Sequence, residues 1–201
     1  LIQIRKRRGK MNLYDLILSR RSIRQFKPVP VPRNILKKTV NAGRLAPSAA
    51  NLQPLEFIVV DKKELRARVF ACLKWAGYIA PEGDPKPGQE PQAYIVVLAN
   101  TDVRENGFEW DAGAAMENMI LAAWEEGIGS CWLLSVDREN LTSLLEIPGH
   151  VQVDSVLALG YPAETPVIED MKNSVEYWKD QKGCLHVPKR RLEDVIHFNA
   201  F

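Results

Sequence analysis

The sequence predicts an α+β domain. Two helical segments precede the first strand, four short apolar runs read as strands, and helices and strands then mix without a strict β-α-β rhythm. At 201 residues the chain fits one domain with an extended tail, and its 46% apolar content excludes general disorder. A formal charge of +2 is too small to argue for nucleic acid by bulk electrostatics.

The first helix runs from Asn12 or Leu13 to Arg20, with Leu13, Leu16 and Ile17 on one face. Pro28, Pro30 and Pro32 force an extended connector, because each proline biases its predecessor away from the helical region. Arg33 to Leu45 is a second helix that offers Ile35, Leu36, Val40 and Ala42 to the core and stops at Pro47. Glu56–Val60 reads as a buried strand, followed by a charged helix from Lys63 to Trp75. Residues 77–92 hold four prolines and three glycines and make a loop or lid. Tyr94–Ala99 is the second strand.

From Ala112 to Trp124 the only polar side chains are Glu117 and Asn118. A helix apolar nearly all round must be covered on nearly all sides. The sheet can cover one side, and a partner subunit is a natural cover for the other. Gly127 and Gly129 are expected to end this helix. Ser130–Leu134 is the third strand, with Trp132 expected in the core. Asp137 caps a helix reaching Glu146, and Val151–Leu159 is the fourth strand. Residues 163–188 read as irregular with one short helix near Val175–Asp180. The apolar tail from Leu192 is expected to pack on the sheet or on a neighbour.

Residues 1–11 read as a basic leader, disordered or upstream of the true start at Met11, and residues 12–201 as a single domain with a lid loop at 77–92 and a C-terminal arm at 189–201. The leader lacks the apolar stretch of a secretory signal, and no apolar run reaches the roughly 20 residues needed to cross a bilayer. Cys72, Cys131 and Cys184 are odd in number, far apart and without a CxxC motif. His150, His186 and His197 show no metal-ligand spacing. The reading is reduced thiols, a cytoplasmic location and no metal.

Three segments carry chemistry. Arg20-Arg21-Ser22-Ile23-Arg24-Gln25-Phe26 concentrates three guanidiniums and a hydroxyl, donors suited to a phosphate monoester. The plain alternative is a charged helix end, favoured by the dipole. Pro47-Ser48-Ala49-Ala50-Asn51-Leu52-Gln53-Pro54 joins small residues, which let backbone N–H groups approach a ligand, to two amides that match the edges of a polar ring. It could equally be a capped turn. Gly127-Ile128-Gly129-Ser130-Cys131-Trp132-Leu133 is no dinucleotide fingerprint, because it follows a helix and enters a strand. Cys131 has no adjacent base to activate it.

The order RRSIRQF, APSAANLQP, DAGAAMENMILAAWEEGIGSCWL, LALGYP and KRRLEDVIHF resembles the nitroreductase-like FMN flavoprotein family, over residues 13–198. The resemblance implies a central mixed or antiparallel sheet flanked by helices, in an intertwined homodimer with FMN at the subunit interface. It implies cofactor contacts from Arg20, Arg21, Ser22 and Arg24, and from Pro47, Ser48, Ala49, Asn51 and Gln53 of the other subunit, with Asn51 also toward substrate. Leu133, Leu134 and Ser135 would offer backbone to the ring, and Lys189, Arg190 and Arg191 would reach the phosphate. It further implies NADH or NADPH as reductant, ping-pong transfer to an electron-poor small molecule such as a nitroaromatic or quinone, no nucleic acid and no membrane. No side chain is assigned as catalytic, since the flavin carries the chemistry; Arg24 is expected to steady negative charge on the reduced ring. The competing readings are specialised family chemistry (reductive dehalogenation or flavin fragmentation), a non-catalytic flavin-binding module, and an unrelated dimeric phospho-ligand binder.

Overall fold

A computed structural model describes residues 11–201. The ten residues before Met11, most of the expected leader, lie outside the described residues. The main sheet is four-stranded and wholly antiparallel, in the order β1-β2-β4-β3. Its strands are β1 (Leu55–Val60), β2 (Ala93–Asn100), β3 (Gly129–Leu133) and β4 (Val151–Gly160).

The two central strands, β2 and β4, are buried on both faces, which is why they read as continuous apolar runs rather than alternating ones. Side chains of a strand alternate between faces. Tyr94, Val96 and Leu98 of β2 therefore join Val69, Leu141 and Val156 in one core layer. Ile95 and Val97 join Leu36, Met116, Met119 and Leu157 in the other. The first layer lies beneath α3 (Lys63–Ala71) and α5 (Arg138–Leu144), the second beneath α2 (Arg33–Arg44) and α4 (Phe108–Glu125).

Local signals set the helix limits. The Asn12 side chain accepts from the Asp15 N–H at 2.9 Å to start α1 (Leu13–Ser19). Asp137 caps α5 by accepting from the Asn140 N–H at 3.1 Å. The apolar helix α4 begins at Phe108, four residues before the expected start, and stops before Gly127.

Several expectations are corrected. β1 is an edge strand with only Val60 buried, because β2 alone pairs with it. α3 ends at Ala71, four residues early, where Leu73 leaves the helix to bridge Val136. Gly129 opens β3 instead of ending α4. Trp132 is 38% exposed, since it sits on the outer side of the edge strand β3. The stretch read as irregular with a helix near 175–180 is a small second sheet of β5 (Val167–Asp170), β7 (Leu185–Lys189) and β6 (Trp178–Lys179), in that order. β5 runs parallel to β7 and β6 antiparallel. The tail does not pack on its own sheet: Leu192, Val195, Ile196 and Phe198 are exposed. So are Leu13, Tyr14, Ile17 and Leu18 of α1, and Trp110 of α4 is 79% exposed. Among the described residues no helix is long and apolar enough to cross a membrane.

Candidate functional site

α1 ends at Ser19, and the backbone is already extended at Arg20 (φ −64°, ψ 137°). Ile23 is buried, while Arg20, Ser22 and Arg24 are half-buried. The segment is laid along the β3–β4 edge by hydrogen bonds. The Ile23 N–H donates to the Ser130 carbonyl, the Lys27 N–H to Tyr161, and the Ala163 N–H to Gln25, each at 2.8 Å. Gly129 and Gly160 make this approach possible: a Cβ on the first would fall 2.7 Å from Ile23 Cγ1, and on the second 2.7 Å from Phe26 Cδ1.

Three arginines leave this segment in three directions. Arg21 donates from Nη1 to the Leu18 carbonyl at 2.8 Å and to that of Arg20, so it finishes the C-terminus of α1. Burial, then the nearby Arg20 charge, pulls its pKa below the usual arginine value. Arg20 Nε lies 4.0 Å from Glu117 on α4. The Arg24 guanidinium lies over the Tyr177 ring, 5.0 Å from its centroid, and Tyr78 meets the same ring edge-on at 5.0 Å. Glu164 Oε1 accepts the backbone N–H groups of Arg24 at 2.5 Å and Gln25 at 3.2 Å. Arg24 Nε is buried without a partner. Arg24 lines a hollow of about 560 Å³ together with Lys74, Trp132, Leu133, Leu134 and Ser135. Cys131 is also at its wall, and burial pushes that thiol up, away from the reactive thiolate.

The expected lid walls this hollow with Gly77, Ala80 and Asp84. Its middle is fastened. The buried Gln25 side chain donates to the Asp84 carbonyl at 2.8 Å and accepts from the Lys86 N–H at 2.9 Å, and the Phe26 N–H donates to Gln89 at 2.9 Å.

The 47–54 segment forms a separate, smaller hollow of about 160 Å³, lined by Arg44, Pro47, Ser48, Gln53 and Asp111. Here the shape comes from backbone conformation. Ala50, Asn51 and Gln53 all take left-handed φ values, +51°, +54° and +54°. Ser48 Oγ accepts from the Gln53 N–H at 3.1 Å. Asp111 Oδ1 accepts from the Ala49 N–H at 3.0 Å, and its Oδ2 accepts from Arg104 Nη1 at 2.8 Å. Ala49, Asn51 and Gln53 are exposed.

The two hollows share no lining residue. One precedes β1 and the other follows β3, the opposite edges of the sheet. Lys189, Arg190 and Arg191 line neither hollow. Arg190 donates to the Asp194 carbonyl, and Arg191 pairs with Asp194 at 3.1 Å. Glu164, Tyr177, Gln25 and Asp111 were missed by sequence reasoning. Only Asp111 carried a usable signal, an acid in the first turn of α4.

A helix-clad antiparallel sheet with an arginine hollow at one edge and a left-handed turn at the other defines an α+β protein with two separate hollows at its sheet edges. Residues 17–161 match the Nitroreductase family, and the chain belongs to it: it is a nitroreductase-like oxidoreductase. It is 36% identical over 189 residues to a protein of Archaeoglobus fulgidus named putative NADH dehydrogenase/NAD(P)H nitroreductase, covering 90% of this chain and 94% of that one. A protein of the same name from Methanothermobacter thermautotrophicus is 32% identical over 169 residues, covering 81% and 84%. Among solved structures, an FMN-dependent nitroreductase of Clostridium difficile superposes with a TM-score of 0.69 at 27% identity, over 94% of this chain and all of that one. The family resemblance and the α+β fold expected from sequence are thus borne out.

Proposed function

We propose that the chain is an FMN-dependent oxidoreductase that takes electrons from NADH or NADPH and delivers them to an electron-poor small molecule, the two substrates using one site in turn. The observation that carries this reading is the Arg24 hollow. Its guanidinium is held against Tyr177 in the wall of that hollow, beside the backbone of Leu133, Leu134 and Ser135, and its charge suits an anionic or carbonyl group. The names of the relatives support FMN and NAD(P)H.

The residues fit the cofactor in a divided way. Arg20, Ser22 and Arg24 would hold the phosphate side and the polar ring edge, with Arg21 behind them; Leu133, Leu134 and Ser135 would offer backbone to the ring. Pro47, Ser48, Ala49, Asn51 and Gln53 line none of that hollow in the same chain, so a second copy would supply that turn, with Asn51 facing substrate. The exposed apolar residues of α1, Trp110 of α4, and the tail are what such a homodimer would bury. Lys189, Arg190 and Arg191 would come to the phosphate with the C-terminal arm (189–201). The chemistry FMN supplies when bound is hydride transfer at N5. The protein's part is to orient the ring, shield one face with the 77–92 loop, and set Arg24 against the negative charge of the reduced state. Three free thiols, Cys72, Cys131 and Cys184, support a cytoplasmic setting. Residues 12–201 act as one domain.

The double variant Arg20→Ala/Arg24→Ala tests the assignment. FMN titration of the apoprotein should show binding weakened at least about tenfold, with the dimer retained. Flavin occupancy equal to that of the parent protein rejects it.

A further inference from the structure

A third hollow, of about 570 Å³, opens between α3, the proline-rich connector and residues 88–92. It shares no lining residue with the hollow at either sheet edge. Pro28, Pro30, Phe70 and Pro91 give it apolar walls. Two polar atoms among its lining residues have no partner. The Tyr94 side chain on β2 is wholly buried, and its hydroxyl makes no hydrogen bond. Arg66 Nε on α3 is likewise buried and unpaired. Arg66 Nη1 donates to the Pro91 carbonyl at 3.0 Å and to Gln92 Oε1 at 2.9 Å, and these bonds fix the guanidinium in place. A buried donor without an acceptor is a standing cost to the fold, recovered when an acceptor arrives. Burial raises the Tyr94 hydroxyl well above the usual phenol value; the Arg66 charge opposes that shift and the Glu90 charge adds to it. The phenol therefore stays protonated and able to donate.

We propose that this hollow binds a small aromatic monocarboxylate, its carboxylate accepting from Arg66 Nε and the Tyr94 hydroxyl and its ring lying against Phe70 and the prolines. Two unsatisfied donors call for an acceptor head group. The charged residues of the lining are Lys63, Arg66 and Glu90, two cations and one anion, which suits a monoanion and sets Glu90 against a doubly charged phosphate. Proline and phenylalanine walls suit a flat ring. The two donors lie beneath the accessible surface, so binding includes a small shift of the wall side chains.

The test uses the full chain and 4-iodobenzoate. A soaked crystal should show an anomalous iodine peak in this hollow. In solution calorimetry, Arg66→Met should weaken binding at least about tenfold and Tyr94→Phe should weaken it measurably. Ala67→Phe should block the hollow from an exposed position on α3 that no buried group depends on. Neutral 4-iodobenzamide should bind at least about tenfold more weakly. No iodine in the hollow overturns the proposal. So does iodine there with a solution affinity unchanged by all three variants, which is binding at crystal concentration only. Equal binding of the amide overturns the carboxylate assignment.

Discussion

At the β3 edge the chain shapes its hollow with side chains: Glu164 gathers two backbone N–H groups, Tyr177 carries a guanidinium, and residues 20–26 all keep ordinary φ angles. At the β1 edge it uses backbone: three non-glycine residues in the left-handed region, pinned from below by Asp111. Side-chain construction tolerates exchange of one group for another of similar reach. Backbone construction depends on whatever holds the strained conformation, here the Asp111 carboxylate at Ala49 and the Ser48 hydroxyl at Gln53.

Asp111→Ala is the severest test of this contrast. It takes the acceptor from Ala49 and leaves Arg104, only 15% exposed, without its partner. Losing one member of a buried pair costs about 3–5 kcal/mol. Urea unfolding should show that loss; a change below about 1 kcal/mol would mean the turn holds itself. Glu164→Ala comes next. It strips the Arg24 and Gln25 N–H groups of their acceptor, at about 2 kcal/mol. An unchanged denaturation midpoint would show that the β3 edge does not rest on this side chain. Ala50→Gly is the gentlest. Relief of a left-handed φ is worth about 1–2 kcal/mol, against about 0.5–1 kcal/mol for the added freedom of glycine. The melting temperature should hold or rise slightly, and a clear fall would show that Ala50 is not strained.

Legibility followed the source of each signal. β2, β4 and α4 announce themselves because their apolar character is continuous and local. The small sheet does not: β6 is two residues long, β5 carries Glu169 and Asp170, and its parallel pairing joins residues about twenty positions apart. The extended course after Arg20 was hidden for a similar reason, since tertiary bonds to Ser130 and Tyr161, not local propensity, set it. The arginine motif led to the β3-edge hollow through Arg24 but not to Tyr177, which lies more than 150 residues away. The left-handed turn left no trace because Ala50 and Gln53 are not the residues such φ angles favour. Asn51 is closer to that preference, and one residue is too little to read.

The buried Gln25 amide has a mechanical consequence. It sits one residue from Arg24 and holds both ends of the Asp84–Lys86 turn, donor to one and acceptor to the other. Gln25 thereby ties the backbone beside Arg24 to a turn whose Asp84 walls the same hollow. Swapping that amide for glutamate would abolish the donating half of the grip and leave the turn held from this side chain by the Lys86 N–H alone.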